Sequence, residues 1–167
     1  SRMVKVCGIG ESMLEEQIRD LIDSQTNPTI ATYAKTGEVH LRITARAEDE
    51  AAAKKMIKPM IRELKERFGK NIYTTDEKKT LEDCVVDLLK DQKLTLTTVE
   101  SCTGGALSAR IINVPGASEV LKQGLVTYSN RAKRKFTLVK KSTLKDEGAV
   151  SAKTAKEMAK GALESTD

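Results

Sequence analysis

One serine, Ser101, stands where a β-prone run meets two glycines: residues 95–107 read Thr-Leu-Thr-Thr-Val-Glu-Ser-Cys-Thr-Gly-Gly-Ala-Leu. A strand that turns at once into a helix holds such a hydroxyl out at the corner. If the helix opens directly after Ser101, the amides of Cys102, Thr103, Gly104 and Gly105 lie in its first turn. No helical carbonyl accepts them there, so they would seat an anion or a developing oxyanion. The pattern fits equally a plain capped turn with Ser101 or Thr103 as N-cap.

A nucleophilic serine needs a base, and the chain holds a single histidine, His40. His40 shares the polar side of an alternating run with Arg42, Thr44 and Arg46, opposite Val39, Leu41, Ile43 and Ala45. Alternation of this kind predicts a solvent-open face, which argues against His40 as the base. Lys133 is the stronger candidate because it follows a second predicted strand, and an α/β arrangement gathers residues at the carboxyl ends of neighbouring strands around one crevice. To serve, its amine must be uncharged near neutral pH, which calls for a buried setting; an exposed, solvated lysine is the other reading. Cys102 is a rival nucleophile, but with no histidine beside it in the sequence it reads as a packed thiol.

Several other chemistries are excluded. Gly104-Gly105-Ala106-Leu107 lacks the Gly-Lys-Ser/Thr of a phosphate-binding loop, and Gly8-Ile9-Gly10 lacks the third glycine of a dinucleotide fingerprint. Three widely spaced cysteines, Cys7, Cys84 and Cys102, suggest neither a disulfide framework nor a zinc site, so no metal or cofactor is expected and a reducing, cytoplasmic setting is. No run approaches the ~18 apolar residues of a membrane span. The net charge of +5 is uneven: residues 1–78 hold 14 basic and 13 acidic side chains, residues 79–167 hold 15 and 11. Arg131, Lys133, Arg134, Lys135, Lys140 and Lys141 fall together without an acid among them, a run that suits a phosphate, a nucleic-acid backbone or a solvated helix face.

The elements that must position these residues fall into two sets. Residues 3–9 predict a strand; Ser12 and Glu15 have capping-box spacing before Leu14, Ile18, Leu21 and Ile22 at helical period. Residues 29–34 and 38–46 predict a hairpin about Lys35-Thr36-Gly37, residues 48–68 a helix kinked at Pro59, and residues 71–74 a last strand. The result is a β-α-β-β-α-β domain over residues 1–75, whose Met and Ile stripes form its core. Residues 76–79 form a polar linker. After it, a helix carries Leu81, Cys84, Val85, Leu88 and Leu89 inward, the Ser101 strand follows, and a helix runs from Thr103 to about Asn113. A short helix from Ser118, a strand over 124–128, the basic helix capped by Ser129 or Asn130, a helical turn over 142–147 and a last helix capped by Ser151 complete an α/β layer over residues 80–167.

Four motifs in order give these residues a family. Glu100-Ser101-Cys102-Thr103-Gly104-Gly105, Pro115-Gly116-Ala117-Ser118, Val126-Thr127-Tyr128-Ser129-Asn130 with Ala132-Lys133, and Gly148-Ala149-Val150-Ser151 resemble the amidohydrolase domain of the competence/damage-inducible CinA family. Residues 3–75 are similar to the KH-like middle domain of longer members, on Ala31-Thr32-Tyr33-Ala34-Lys35 and Gly37-Glu38-Val39-His40-Leu41-Arg42. The resemblance implies hydrolysis of the carboxamide of nicotinamide mononucleotide to nicotinic acid mononucleotide and ammonia, for pyridine-nucleotide recycling. It places the family's serine on Ser101 and its catalytic lysine on Lys133. Cys102, Thr103, Gly104 and Gly105 would then line the substrate or the oxyanion, and Tyr128, Ser129 and Asn130 would orient Lys133 or contact the ribose.

The chain also departs from longer members. It lacks their N-terminal molybdopterin-binding-like domain, and stops at Asp167 before further strands, a glycine-rich loop and a substrate-binding arginine. It is therefore expected to be a fragment with an unpaired sheet edge and an exposed apolar face, so that residues 79–167 either associate through that edge, giving a homo-oligomer, or are markedly less stable than residues 1–75. Two further readings stand beside the enzyme: a catalytically inactive fragment, and a nucleic-acid-binding module. Residues 1–75 contain no Gly-x-x-Gly clamp and few aromatics for stacking, so nucleic acid is not the expected partner; a small nucleotide substrate is.

Overall fold

The computed structural model describes residues 1–166; only the final residue of the domain expected over 80–167 lies outside them. The chain divides into two compact units, Ser1–Leu81 and Glu82–Asp167.

The first unit is a four-stranded antiparallel sheet backed by helices. Strands β1 (Arg2–Cys7), β2 (Thr29–Lys35), β3 (Glu38–Thr44) and β4 (Ile72–Thr74) stand in the order β2-β3-β1-β4. Helices α1 (Glu11–Gln17) and α2 (Arg19–Asp23) precede the β2–β3 hairpin, and α3 (Glu50–Phe68) returns the chain to β4. The expected β-α-β-β-α-β order is thus present, with its first helix in two pieces. Ile18, fully buried, leaves helical geometry at φ −121° and ψ 14° and separates α1 from α2. The expected Ser12 cap does not form: α1 begins after Gly10, whose carbonyl accepts the Leu14 amide at 2.9 Å. α3 is capped by Asp49, whose carboxylate accepts the Ala52 amide at 2.7 Å, and it continues through the exposed Pro59.

Period-two alternation on the strands and the helical stripe on α3 converge on one core. Val4, Val6, Val39, Leu41 and Ile43 from the sheet meet Leu14, Ile18, Ile57, Leu64 and Phe68 from the helices. Lys5, on the other side of β1, is also buried, and its ammonium donates to the carbonyls of Glu77 at 2.9 Å and Lys79 at 2.7 Å. The polar stretch read as a linker is thereby fastened to β1. His40 corrects the solvent-open expectation: its imidazole is 18% exposed, within 2.9 Å of a Glu38 carboxylate oxygen, and Tyr73 donates to that same oxygen.

The second unit is an α/β layer around two parallel strands, β5 (Leu96–Glu100) and β6 (Leu121–Val126). Helices α4 (Leu81–Asp91), α5 (Ala106–Ile112), α6 (Asn130–Thr137), α7 (Lys141–Asp146) and α8 (Ala152–Glu164) surround them, with a 3-10 turn at Ala117–Glu119 where a short helix from Ser118 was expected. The inward face of α4 is only in part the expected one: Leu89 packs against the core as expected, but the most buried residue is another. Val86 is fully buried against Ile111, Val114, Ala117 and Val120, whereas Val85 and Leu88 are exposed and Cys84 only partly buried. The apolar arc of α4 is broader than this small cluster covers, so its phase did not single out the buried residue. Among the described residues, no helix is long and apolar enough to cross a membrane.

Candidate active site

Parallel pairing of β5 with β6 puts their carboxyl ends side by side, with Glu100 opposite Val126. The Thr127 amide extends the ladder by one bond, donating to the Glu100 carbonyl at 2.8 Å. The next residue on one strand is Ser101; two residues beyond Thr127, Ser129 starts α6 by accepting the Ala132 amide on its hydroxyl at 3.0 Å. Lys133 lies one turn into that helix and points back under the strand ends. It is 1% exposed, and its ammonium donates to Ser101 Oγ at 2.9 Å, the Thr127 carbonyl at 2.8 Å and the Tyr128 carbonyl at 3.1 Å. A lysine nitrogen has three N–H groups, and each has an acceptor here. No carboxylate pairs with Lys133 among the described residues.

The loop after Ser101 differs from the expected helical turn. Gly104 and Gly105 take φ values of +60° and +98°, a left-handed conformation open to glycine at little cost, and α5 begins only at Ala106. Of the four amides expected to face an anion, two are already used: Gly104 donates to the Ser101 carbonyl at 3.1 Å, and Gly105 to a Glu100 carboxylate oxygen at 3.2 Å. Those of Cys102 and Thr103 have no hydrogen-bond partner among the described residues, and both residues are exposed.

The occupant of the α5 mouth is Glu100. Its buried carboxylate accepts the amides of Gly105, Leu107 at 3.0 Å and Ser108 at 2.9 Å, and the Ser108 hydroxyl at 2.7 Å. Burial pushes this carboxyl up, but hydrogen bonds from the Ser108 hydroxyl and amide, the Leu107 amide and the Thr103 hydroxyl outweigh it and hold it at about 2. Thr98, on the same side of β5, shares a 2.6 Å hydrogen bond with Ser108. Sequence reasoning passed over Glu100, Thr98 and Ser108. The signal was the alternation of β5, which aims Thr98 and Glu100 the same way and so demands polar partners if that side is covered.

The remaining expected residues divide by the atoms they use. Tyr128 orients Lys133 through its main-chain carbonyl, its side chain being 75% exposed. The Ser129 hydroxyl accepts the Ala132 amide and so caps α6, the helix that carries Lys133. Asn130 is exposed at the first position of α6 and, among the described residues, makes no hydrogen bond with Lys133. Cys102 is an exposed free thiol. Thr127 Oγ1 is buried without a hydrogen-bond partner among the described residues. A cavity of about 550 Å³ opens beside Ser101, Cys102 and Thr103, and its far wall is Val150, Ser151 and the Ala155–Met158 side of α8. Ala149 and Val150, from the motif that precedes α8, therefore line the cavity beside Ser101. Among the described residues, no group of three or more His, Cys, Asp or Glu could hold a metal ion.

The sequence model of the CinA C-terminal domain matches residues 78–167, and that of the damage-inducible protein CinA KH domain matches residues 1–74. A protein of Clostridium acetobutylicum that carries a competence-damage inducible name is 56% identical over 161 residues, which are 96% of this chain and 39% of that protein. A CinA-like protein of Dictyoglomus turgidum is 50% identical over 161 residues, with the same shares of 96% and 39%. The chain thus spans well under half the length of these curated relatives. Among solved structures, the competence/damage inducible protein of Agrobacterium tumefaciens is 40% identical with a TM-score of 0.51, over 52% of each chain. A CinA superfamily protein of Escherichia coli is 33% identical with a TM-score of 0.51, over 57% of this chain and 58% of its own.

Proposed function

The chain belongs to the CinA family, and from that premise we propose that its second unit carries a Ser-Lys amidohydrolase site acting on the carboxamide of nicotinamide mononucleotide. The observation that carries this reading is the 2.9 Å approach of Lys133 Nζ to Ser101 Oγ in a buried setting where, among the described residues, no carboxylate pairs with the lysine.

The amine form of Lys133 takes the Ser101 proton as Oγ bonds to the amide carbon. Lys133 passes that proton to the amide nitrogen, the C–N bond breaks, and ammonia leaves an ester on Ser101. Water, deprotonated by the same amine, attacks the ester and releases nicotinic acid mononucleotide with the serine restored. The carbonyls of Thr127 and Tyr128 hold the lysine nitrogen in line throughout. The oxyanion falls to the amides of Cys102 and Thr103, because Glu100 occupies the α5 mouth; a donor of this kind is worth about 10²–10³ in rate. The negatively charged Glu100 also keeps the substrate phosphate away from that helix terminus.

The test is ammonia release from nicotinamide mononucleotide by this chain and by a chain extended through the remainder of the domain, each with Ser101→Ala and Lys133→Arg. Arginine keeps the charge but cannot act as a base, so both variants lose the activity. Release by Lys133→Arg near the parent rate overturns the role of Lys133, and no release from either parent chain overturns the reaction.

A further inference from the structure

The basic run read in the sequence does not stay together in the fold. Lys133 enters the site, and Arg131, Arg134 and Lys135 are exposed on α6, with Lys135 over the Phe136 ring at 5.1 Å. Leu138 then takes a left-handed φ of 56° and ends α6, and the chain turns so that Lys140 faces α8. There it meets Lys153, Lys156 and Lys160 around a separate cavity of about 460 Å³ that shares no residue with the one beside Ser101.

Three features distinguish this cluster from a solvated helix face. Its lysines come from two segments and surround one concavity, and positions 153, 156 and 160 fall on one side of α8 over a rise of ~10 Å. Its frame is rigid: α6 and α8 cross so closely at Gly161 that a Cβ there would lie 2.0 Å from the Thr137 carbonyl oxygen. Its positive charge is only partly answered: Glu157, whose carboxylate interacts with Lys140 and Lys153, and Glu164 also line the cavity, two carboxylates against four lysines. Glu157 is bound to the Lys140 amide at 2.9 Å and the Thr143 hydroxyl at 2.7 Å, and the Lys140 amide first, then Thr143, hold it below the usual carboxylate range. Glu147 reaches Lys153 at 3.4 Å and Glu164 reaches Lys160 at 3.7 Å, exposed pairs that a multivalent anion displaces readily. Lys140 and Lys156 have no ion-pair partner among the described residues.

We infer that this groove binds a compact oligophosphate anion, either inorganic or the phosphate tail of a nucleotide, at a site independent of the Ser101–Lys133 pair. Four exposed lysines from two segments around one open groove, outnumbering its two carboxylates, focus a positive potential that several linked phosphate charges neutralise together. The nucleotide-sized groove favours a small ligand over a nucleic-acid strand, which needs a continuous basic track.

The experiment titrates the 167-residue chain calorimetrically with sodium tripolyphosphate, with adenosine triphosphate and with a single-stranded oligonucleotide, at low and at moderate salt. One tripolyphosphate binds per chain, more weakly as salt rises. The Lys140→Gln/Lys156→Gln pair weakens it by at least about tenfold, while Arg131→Gln/Lys135→Gln changes it less than about twofold, because local potential and not overall charge is at work. Adenosine triphosphate matching or exceeding tripolyphosphate identifies a nucleotide tail; tripolyphosphate alone identifies the inorganic anion; either supports the site. Lys140→Arg/Lys156→Arg retains binding and shows that the glutamine variants act through charge. Absence of one-to-one binding, equal weakening by both glutamine pairs, or oligonucleotide binding that tripolyphosphate does not displace would each overturn the proposal.

Discussion

Each unit buries a lysine, and the two differ in one contact. Lys5 in the first unit and Lys133 in the second each give two N–H groups to main-chain carbonyls, Glu77 and Lys79 in one case, Thr127 and Tyr128 in the other. Only Lys133 turns its remaining N–H to a side-chain hydroxyl, that of Ser101. Burial of a lysine is therefore not itself a mark of catalysis: Lys5 ties a passing segment to a strand, whereas Lys133 uses the same clamp to aim at Ser101, the proposed nucleophile. The surroundings differ too. The first unit closes over an apolar core from four strands and three helices, while the buried side chains around β5 and β6 include Thr98, Glu100, Thr127, Lys133, Thr137, Thr143 and Thr154. The first unit is held by one apolar core, while the second adds buried polar groups around the site to a smaller apolar cluster about Val86.

Replacing each lysine in turn breaks the comparison most sharply. Lys133→Met lowers ammonia release by about 10³-fold, the scale of a lost general base, and Lys5→Met leaves it within about twofold while exposing the amides near Glu77 to hydrogen exchange. Equal losses from both would reduce Lys133 to a structural clamp. Next in size is Gly161→Ala, which drives a Cβ into the Thr137 carbonyl and costs the second unit about 3 kcal/mol. Thermal unfolding followed by hydrogen exchange should show that loss in residues 82–166 and none in the first sheet.

The acid limb separates the units by charge. Glu100 is held at about 2, below its ordinary 4.5, so its contribution to stability is complete above about 4.5 and disappears as pH falls toward 2. That contribution is on the order of 3 kcal/mol at most, and Glu100→Gln removes this part of the pH dependence. A second unit whose acid unfolding is unchanged by Glu100→Gln would show that the carboxylate is not its acid-labile point. The smallest effects come from the helix caps: Asp49→Ala and Ser129→Ala each cost about 1 kcal/mol. Only Ser129→Ala also lowers turnover, because α6 carries Lys133, and a matching loss of turnover from Asp49→Ala would contradict that division.

Much of the candidate site was legible in the chain. A serine at a strand end and a lysine just after the next strand are local features, and the parallel connection rule brings such positions together. The first unit was readable for the same reason: Val39, Leu41 and Ile43 alternate, and Ile57, Leu64 and Phe68 recur at helical spacing, so each element announces the side it buries. The apolar arc of α4 was too broad to announce one.

What the sequence determined by itself was the element order, the strand faces and the identity of the two residues at the crevice. Only the tertiary structure decided which polar groups find one another. The amides after Ser101 were open to any anion until Glu100, adjacent in sequence but reaching under α5, took that place. His40 was assigned to solvent until Glu38 of its own strand and Tyr73 of β4 closed on it, and Lys140 belonged to a basic run until α6 and α8 crossed at Gly161. The physical reason is common to all three. Apolar periodicity is written along a single element, but a buried polar atom must find a partner of defined direction and distance, and that partner comes from wherever the fold supplies one.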